Sequence, residues 1–260
     1  MEERELEPAV VVSEEVSSSA RRFEIEGRTL GFPAHFPDAS SALGLFLVPS
    51  RAANALIGES GFEVAQVAPG RAIFSLSCVH YRDSDCGSYR EVSMAFFVKK
   101  IGFASGIPYL GTWLDIAGDR AATFVWKLPV TSRLANDAGV QMWGLPKTIE
   151  EIDFELSGER ATFDLCMGGR KVLNYSVRAL GKRSQPRGTS DVYSIYEGAP
   201  HVTHLCHEYH DMGVQLGGGV LRLGDHPLAE QLRGLGLPRR PLISSWIGRF
   251  ALEVGPPEKL

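Results

Sequence analysis

The chain has 260 residues, 44% apolar and 22% charged, ordinary values for a soluble globular protein and enough to bury one large core or two small ones. A formal charge of −4 without a clustered basic surface excludes nucleic acid as a partner, and no apolar stretch reaches the length that spans a bilayer. Four scattered cysteines, Cys78, Cys86, Cys166 and Cys206, form no C-x-x-C pair, which argues against a thiolate zinc site or a disulfide framework and favours a reduced, cytoplasmic setting.

Residues 1–22 read as a poorly ordered lead-in. They are rich in Glu, Arg and Ser, and the run Ala9-Val10-Val11-Val12 is too short for a signal-peptide core. The remainder, 23–260, reads as one domain without repeats. Ser50 is placed to cap a short helix over Arg51–Ile57 that stops before Gly58. Alternation of Ala72, Phe74, Leu76 and Cys78, a polar loop over residues 81–87, and alternation of Val92, Met94, Phe96 and Val98 predict a hairpin. On its second strand Tyr89, Glu91, Ala95 and Phe97 take the opposite face, so Glu91 points inward if both faces are covered.

A second short helix is expected from Thr131 or Ser132 to Gly139. Between 149 and 178 the series Ile152, Phe154, Leu156, then Ala161, Phe163, Leu165, Met167, then Leu173, Tyr175, Val177 is broken by turns at Ser157-Gly158-Glu159 and Gly168-Gly169-Arg170. This is an antiparallel meander with one apolar face. Gly217-Gly218-Gly219 lacks the Lys-Ser/Thr ending of a phosphate loop and reads as a bend or bulge in a strand. Asp225 or His226 before Pro227 opens a third helix ending at Gly234. Few short helices beside many strands give a mainly antiparallel, α+β domain.

Lys147 carries the sharpest chemical signal. An amine attacks a ketone only when unprotonated, and free lysine has a pKa near 10.4, so a nucleophilic lysine needs a site that penalises its ammonium form; apolar walls do so. Trp143, Leu145 and Pro146 directly precede it as candidate walls, and Pro146 stiffens the backbone. A protonated imine on that lysine would be an electron sink for loss of carbon dioxide, removal of an α-proton, or making and breaking a carbon–carbon bond. An exposed lysine after a turn is the plain alternative.

The segment Gly139-Val140-Gln141-Met142-Trp143-Gly144-Leu145-Pro146-Lys147 resembles the part of acetoacetate decarboxylases that bears the Schiff-base lysine. Tyr89-Arg90-Glu91 resembles the family's Tyr-x-Glu, and Leu223-Gly224-Asp225-His226-Pro227 with Leu242-Ile243-Ser244-Ser245 is also similar, so that the resemblance spans residues 23–254. It implies a closed, cone-like β-barrel that forms a homo-oligomer. It also implies a catalytic pair Lys147 and Glu91, with Arg28 holding a keto acid's carboxylate, Tyr89 and Trp143 lining the site, and no cofactor. Thr148 stands where acetoacetate decarboxylases proper carry a second lysine. This moves the chain toward the broader superfamily, with aldolase-dehydratases and cyclases acting on keto acids.

His201, His204, His207 and His210 recur every third residue and are the rival signal for a metal-dependent enzyme. Their spacing suits a 3₁₀ turn, whereas on a strand only His204, Cys206, Glu208 and His210 share a face. The spacing matches no familiar metal motif, so no metal is assigned, and His204 and His210 are taken as substrate contacts. The expected function is a Schiff-base-forming lyase for a small keto acid, acting without nucleic acid or membrane. A histidine-based metalloenzyme and a noncatalytic keto-acid-binding protein are the alternatives.

Overall fold

A computed structural model describes residues 21–99, 107–118 and 120–260; the expected lead-in falls outside the described residues but for Arg21 and Arg22. In chain order, β1 (Phe23–Ile25) and β2 (Arg28–Leu30) pair as a small hairpin, and β3 (Ala34–Pro49) leads into α1 (Ser50–Ile57). Next come β4 (Gln66–Ala68), β5 (Arg71–Asp83), β6 (Tyr89–Val98), α2 (Leu110–Ala117), β7 (Ala122–Val130), α3 (Arg133–Trp143) and β8 (Lys147–Ile149). Then follow β9 (Glu151–Ser157), β10 (Arg160–Met167), β11 (Arg170–Arg178), β12 (Arg183–Tyr196), β13 (Ala199–Leu216), β14 (Val220–Leu223), α4 (Pro227–Gly234) and β15 (Ile243–Lys259).

Strands β12, β13, β15, β3, β5, β6 and β7 pair in that order, and the parallel pairing of β12 with β7 closes them into a seven-stranded barrel. The fold is thus the expected antiparallel-rich barrel with short helices. One edge of β7 is shared: Ala122–Phe124 bond to β12, while Leu128–Val130 bond to β8. Because β8 begins at Lys147, that lysine enters the barrel wall beside the seam.

The meander forms a separate antiparallel sheet, β14-β11-β10-β9. Its apolar face (Ile152, Ala161, Phe163, Leu165, Tyr175, Val177) packs on Phe46, Phe74, Leu76, Val92, Met94 and Phe96 of the barrel's outer face, with Leu228 and Leu232 of α4. Burying such side chains is worth roughly 1.5–3 kcal/mol each, which is why the period-2 pattern survives on both partners. Both faces of β6 are therefore covered.

Several local expectations need correction. Ser50 is the first residue of α1 rather than its cap; Pro49 holds the cap position without a side-chain bond. Helix α3 runs past Gly139 to Trp143, capped by Ser132 Oγ accepting from the Ala135 amide. It stops at Gly144, where φ is +63°; Gly139 has no such left-handed φ and so does not end a helix. Strand β5 continues through Tyr81 to Asp83, shortening the expected polar loop. Gly217–Gly219 does bend the chain, but between β13 and β14 rather than within a strand. Helix α2 was not anticipated; its Trp113 indole donates to Val67 O at 3.0 Å.

Candidate active site

The loop that presents Lys147 is held at both ends. The amide of Gly144 donates to Val140 O and that of Leu145 to Gly139 O, both at 3.1 Å, satisfying the last carbonyls of α3. Ser194 Oγ donates to Trp143 O at 2.7 Å, and the Tyr196 hydroxyl to Gln141 O at 3.1 Å. A Cβ on Gly144 would sit 2.5 Å from Ile195 O, so only glycine lets the helix end this close to β12. Across Pro146 the Lys147 amide donates to Leu145 O at 2.8 Å, a three-residue turn, and pairing of Leu128 with Lys147 starts β8.

From there the lysine runs back beneath α3. A Cβ at Gly139 would lie 2.5 Å from Lys147 Cε and nearer still to Cδ, so the absent side chain is the channel for the lysine stem. Lys147 Nζ ends 2.9 Å from Glu91 Oε2, with side-chain exposures of 7% and 10%, and 5.3 Å from the centre of the Tyr89 ring. Glu91 arrives from β6, opposite Val79 on β5 and Val130 on β7. Desolvating two such charges is costly unless the pair is close and further bonded. Here the Tyr81 hydroxyl adds a hydrogen bond to Glu91 Oε1 at 3.4 Å.

Tyr81 and Tyr89 are cross-strand partners with rings stacked at 4.6 Å. Burial, reinforced by the Glu91 charge, pushes both phenols well above their ordinary range, so each remains a protonated donor at neutral pH. Burial likewise raises the Cys86 thiol, opposed by the charge of Lys147.

Lys147, Glu91, Tyr81 and Tyr89 line a cavity of about 140 Å³, several times the ~30 Å³ that a water molecule occupies. All seven barrel strands contribute to it: Phe36, Tyr81, Glu91, Val125, Val192, Thr203 and Leu252 stand for β3, β5, β6, β7, β12, β13 and β15, joined by Trp143 and Leu145. The cavity is therefore the barrel interior, apolar except for a few convergent polar groups, as ligand sites commonly are.

The structure brings together Lys147, Glu91, Tyr89 and Trp143, the last fixed by its indole donating to Gly255 O at 2.8 Å. It does not bring in the other expected residues. Arg28 is exposed, 3.4 Å from Asp85 O, in a separate recess of about 650 Å³ with Arg21 and Arg22; the short β1-β2 hairpin leaves it outside the cavity wall. Pro146 faces another recess with Leu56 and Trp126. Thr148 alternates away from Lys147 and is exposed.

His204 and His210 are corrected as substrate contacts, because alternation along β13 sends Thr203 and Leu205 into the cavity and these two outward. His204 Nδ1 meets Asp191 at 2.8 Å, and His210 Nε2 meets Glu208 at 3.0 Å. His207 is buried and stacked on Tyr209 at 4.4 Å. A spacing of three on a strand switches faces at each step, so the four imidazoles cannot converge. Among the described residues no three His, Cys, Asp or Glu side chains form a metal-holding group, and no helix is long and apolar enough to cross a membrane.

Tyr81, Ser93 and Thr203 also line the cavity and were not expected. Tyr81 and Ser93 share the inward parity of Glu91 across the β5-β6 hairpin, a signal present in the alternation once both strands are extended. Thr203 carried no signal of its own.

No curated protein sequence matches the chain. Among solved structures, acetoacetate decarboxylase from Legionella pneumophila subsp. pneumophila str. Philadelphia 1 aligns at TM-score 0.61 and 15% identity, covering 100% of this chain and 98% of that one. The enduracididine biosynthesis enzyme MppR complexed with pyruvate aligns at TM-score 0.61 and 14% identity, covering 87% and 90%. An acetoacetate decarboxylase-like enzyme from Sphingomonas wittichii RW1 aligns at 0.52 and 13%, covering 89% and 94%. At these identities the likeness is one of fold. The sequence itself matches the family described as acetoacetate decarboxylase over residues 28–255, and with nearly the whole barrel inside that span, the chain belongs to the acetoacetate decarboxylase family.

Proposed function

We propose that this protein is a lyase that forms a Schiff base between Lys147 and the keto group of a small keto acid, with Glu91 moving the protons. The observation that carries the reading is the 2.9 Å contact between Lys147 Nζ and Glu91 Oε2, both nearly excluded from water inside the barrel. Passing one proton across that contact turns a buried ion pair into a neutral amine and a carboxylic acid, the form an apolar cavity tolerates best.

The neutral amine adds to the keto carbon, and the N–H proton lost on addition passes to the new alkoxide to give a carbinolamine. Glu91, now protonated, donates to the departing hydroxyl, which leaves as water; the products are the iminium and the Glu91 carboxylate. The iminium then accepts the electron pair released when a neighbouring bond breaks. With a 3-oxo acid that bond is C–CO₂⁻ and carbon dioxide leaves; with an α-proton, Glu91 takes it and the resulting enamine attacks an aldehyde. After loss of carbon dioxide a proton from the protonated form of Glu91 goes to the enamine carbon, and after aldol addition the proton Glu91 took goes to the new alkoxide; return of water to the iminium then frees the lysine. Family membership and the pyruvate complex of a relative of like fold support a keto acid as the substrate class. The walls around Lys147 leave room for little beyond the reacting carbons and a short chain.

Borohydride reduction in the presence of pyruvate or acetoacetate, followed by intact-mass and peptide analysis, tests the reading. One reduced adduct on Lys147, absent in Lys147→Ala, is expected. Folded protein that binds these acids without an adduct is instead a keto-acid-binding protein. Activity lost to a chelator with no adduct overturns the reading.

A further inference from the structure

Thr203 is only 4% exposed, faces the Lys147 cavity from β13, and its Oγ1 has no hydrogen-bond partner among the described residues. A buried hydroxyl left unpaired bears the full loss of its hydration, and buried polar groups are so regularly paired that the exception asks for a cause. The other polar groups of the cavity are engaged or partly exposed. Lys147 and Tyr81 both hold Glu91, and Ser93 is not fully buried. Around Thr203 the wall is apolar, formed by Val192, Leu205 and Val254.

The backbone here departs from the regular ladder. Pairing passes from Thr203 with Pro257 to Leu205 with Val254, so β15 carries one extra residue in this stretch, and the Gly255 carbonyl inside it accepts the Trp143 indole. Bulges of this kind re-aim side chains beside binding sites.

We propose that Thr203 is a specificity-determining residue: its hydroxyl donates to the carboxylate of the keto acid whose keto carbon Lys147 attacks. This rests on the Schiff-base reading above. A ligand filling about 140 Å³ touches both residues. Among the described residues the cavity wall holds no guanidinium, imidazole or second ammonium; Lys147 is matched by Glu91 and the Tyr89 hydroxyl is engaged with Tyr81, so the unpaired Thr203 hydroxyl is the donor left for a second oxygen function. The ligand that fits has a ketone and a carboxylate one or two carbons apart, with apolar substituents, and a simple ketone leaves Thr203 unpaired.

The test compares acetoacetate with butanone, which lacks the carboxylate, by calorimetric binding and by borohydride trapping, on the full chain and on Thr203→Val and Thr203→Ser. Valine keeps the shape and removes the hydroxyl; serine keeps the hydroxyl. Thr203→Val is expected to weaken acetoacetate about tenfold or more, the scale of a hydrogen bond to a charged group, to leave butanone within about twofold, and to raise the melting temperature. Thr203→Ser restores acetoacetate binding. Equal weakening of both ligands, unchanged acetoacetate binding, or a native protein that binds neither ligand overturns the proposal. Native protein that binds acetoacetate without an adduct sinks the Schiff-base reading, while the calorimetric contrast between the two ligands still decides the role of Thr203.

Discussion

Replacing Gly139 by alanine separates the needs of the helix from those of the lysine. Gly139 lies inside α3 without a left-handed φ, so its backbone suits alanine, and propensity alone favours Gly139→Ala by roughly 0.8–1.0 kcal/mol. The new Cβ, however, would stand 2.5 Å from Lys147 Cε, whereas carbon atoms rest at about 3.5–4.0 Å. The stem must give way by about 1 Å or more, and it is the flexible partner, so the helix stays and the amine moves. Misplacing a reacting group by about 1 Å can cost on the order of 10²-fold. The expected outcome is a melting temperature equal to or above that of the native protein, with borohydride trapping of pyruvate on Lys147 slowed about 10²-fold. Trapping within twofold of native at an unchanged melting temperature would refute the reasoning, because the stem would then not depend on that channel.

Further outcomes follow from the same geometry. Glu91→Gln keeps the shape but cannot carry a proton, and trapping is expected to slow by about 10²–10⁴-fold, measured as single-turnover adduct formation on protein whose circular dichroism matches native. Gly144→Ala meets a backbone carbonyl at 2.5 Å in a residue with φ of +63°; the left-handed conformation alone costs about 1–2 kcal/mol, so a clear fall in the urea midpoint is expected, in contrast to Gly139→Ala. Stability should also fall in alkali. Tyr81, Tyr89, Cys78 and Cys86 are all raised, chiefly by burial, while unfolded thiols and phenols ionise near 8.5 and 10. The unfolded chain therefore holds fewer protons once those values are passed. The stabilisation is complete below them and drains as pH climbs, by about 1.4 kcal/mol per pH unit for each group still protonated in the folded state. Chemical denaturation between pH 8 and pH 11 checks the slope, and Tyr81→Phe should flatten it.

The buried contact of Lys147 with Glu91 was legible for a local reason. Lys147 follows a proline within an apolar run, and the parity of β6 places Glu91 opposite Val92 and Met94, so covering both faces of that strand turns Glu91 inward. The glycine eight residues before the lysine was visible as part of a resemblance, but its purpose, a channel for the lysine stem, appears only when α3 and β8 are folded together. His204 and His210 do share one face of β13, as a strand requires, but period 2 alone does not say which face looks inward, and in the barrel it is that of Thr203 and Leu205.

From residues alone came the meander, the β5-β6 hairpin, the positions of three helices and the apolar setting of Lys147, because each depends on a periodicity or a short stretch of chain. Barrel closure through the β12–β7 pairing, the exclusion of Arg28, the turning outward of His204 and His210, and the convergence of Tyr81 and Thr203 on Lys147 depend on pairings between residues as far apart in the chain as Ala34 and Val254. Such contacts are fixed by how strands are ordered and registered around the barrel, and a one-residue slip would exchange every inward side chain for an outward one; no local pattern carries that information.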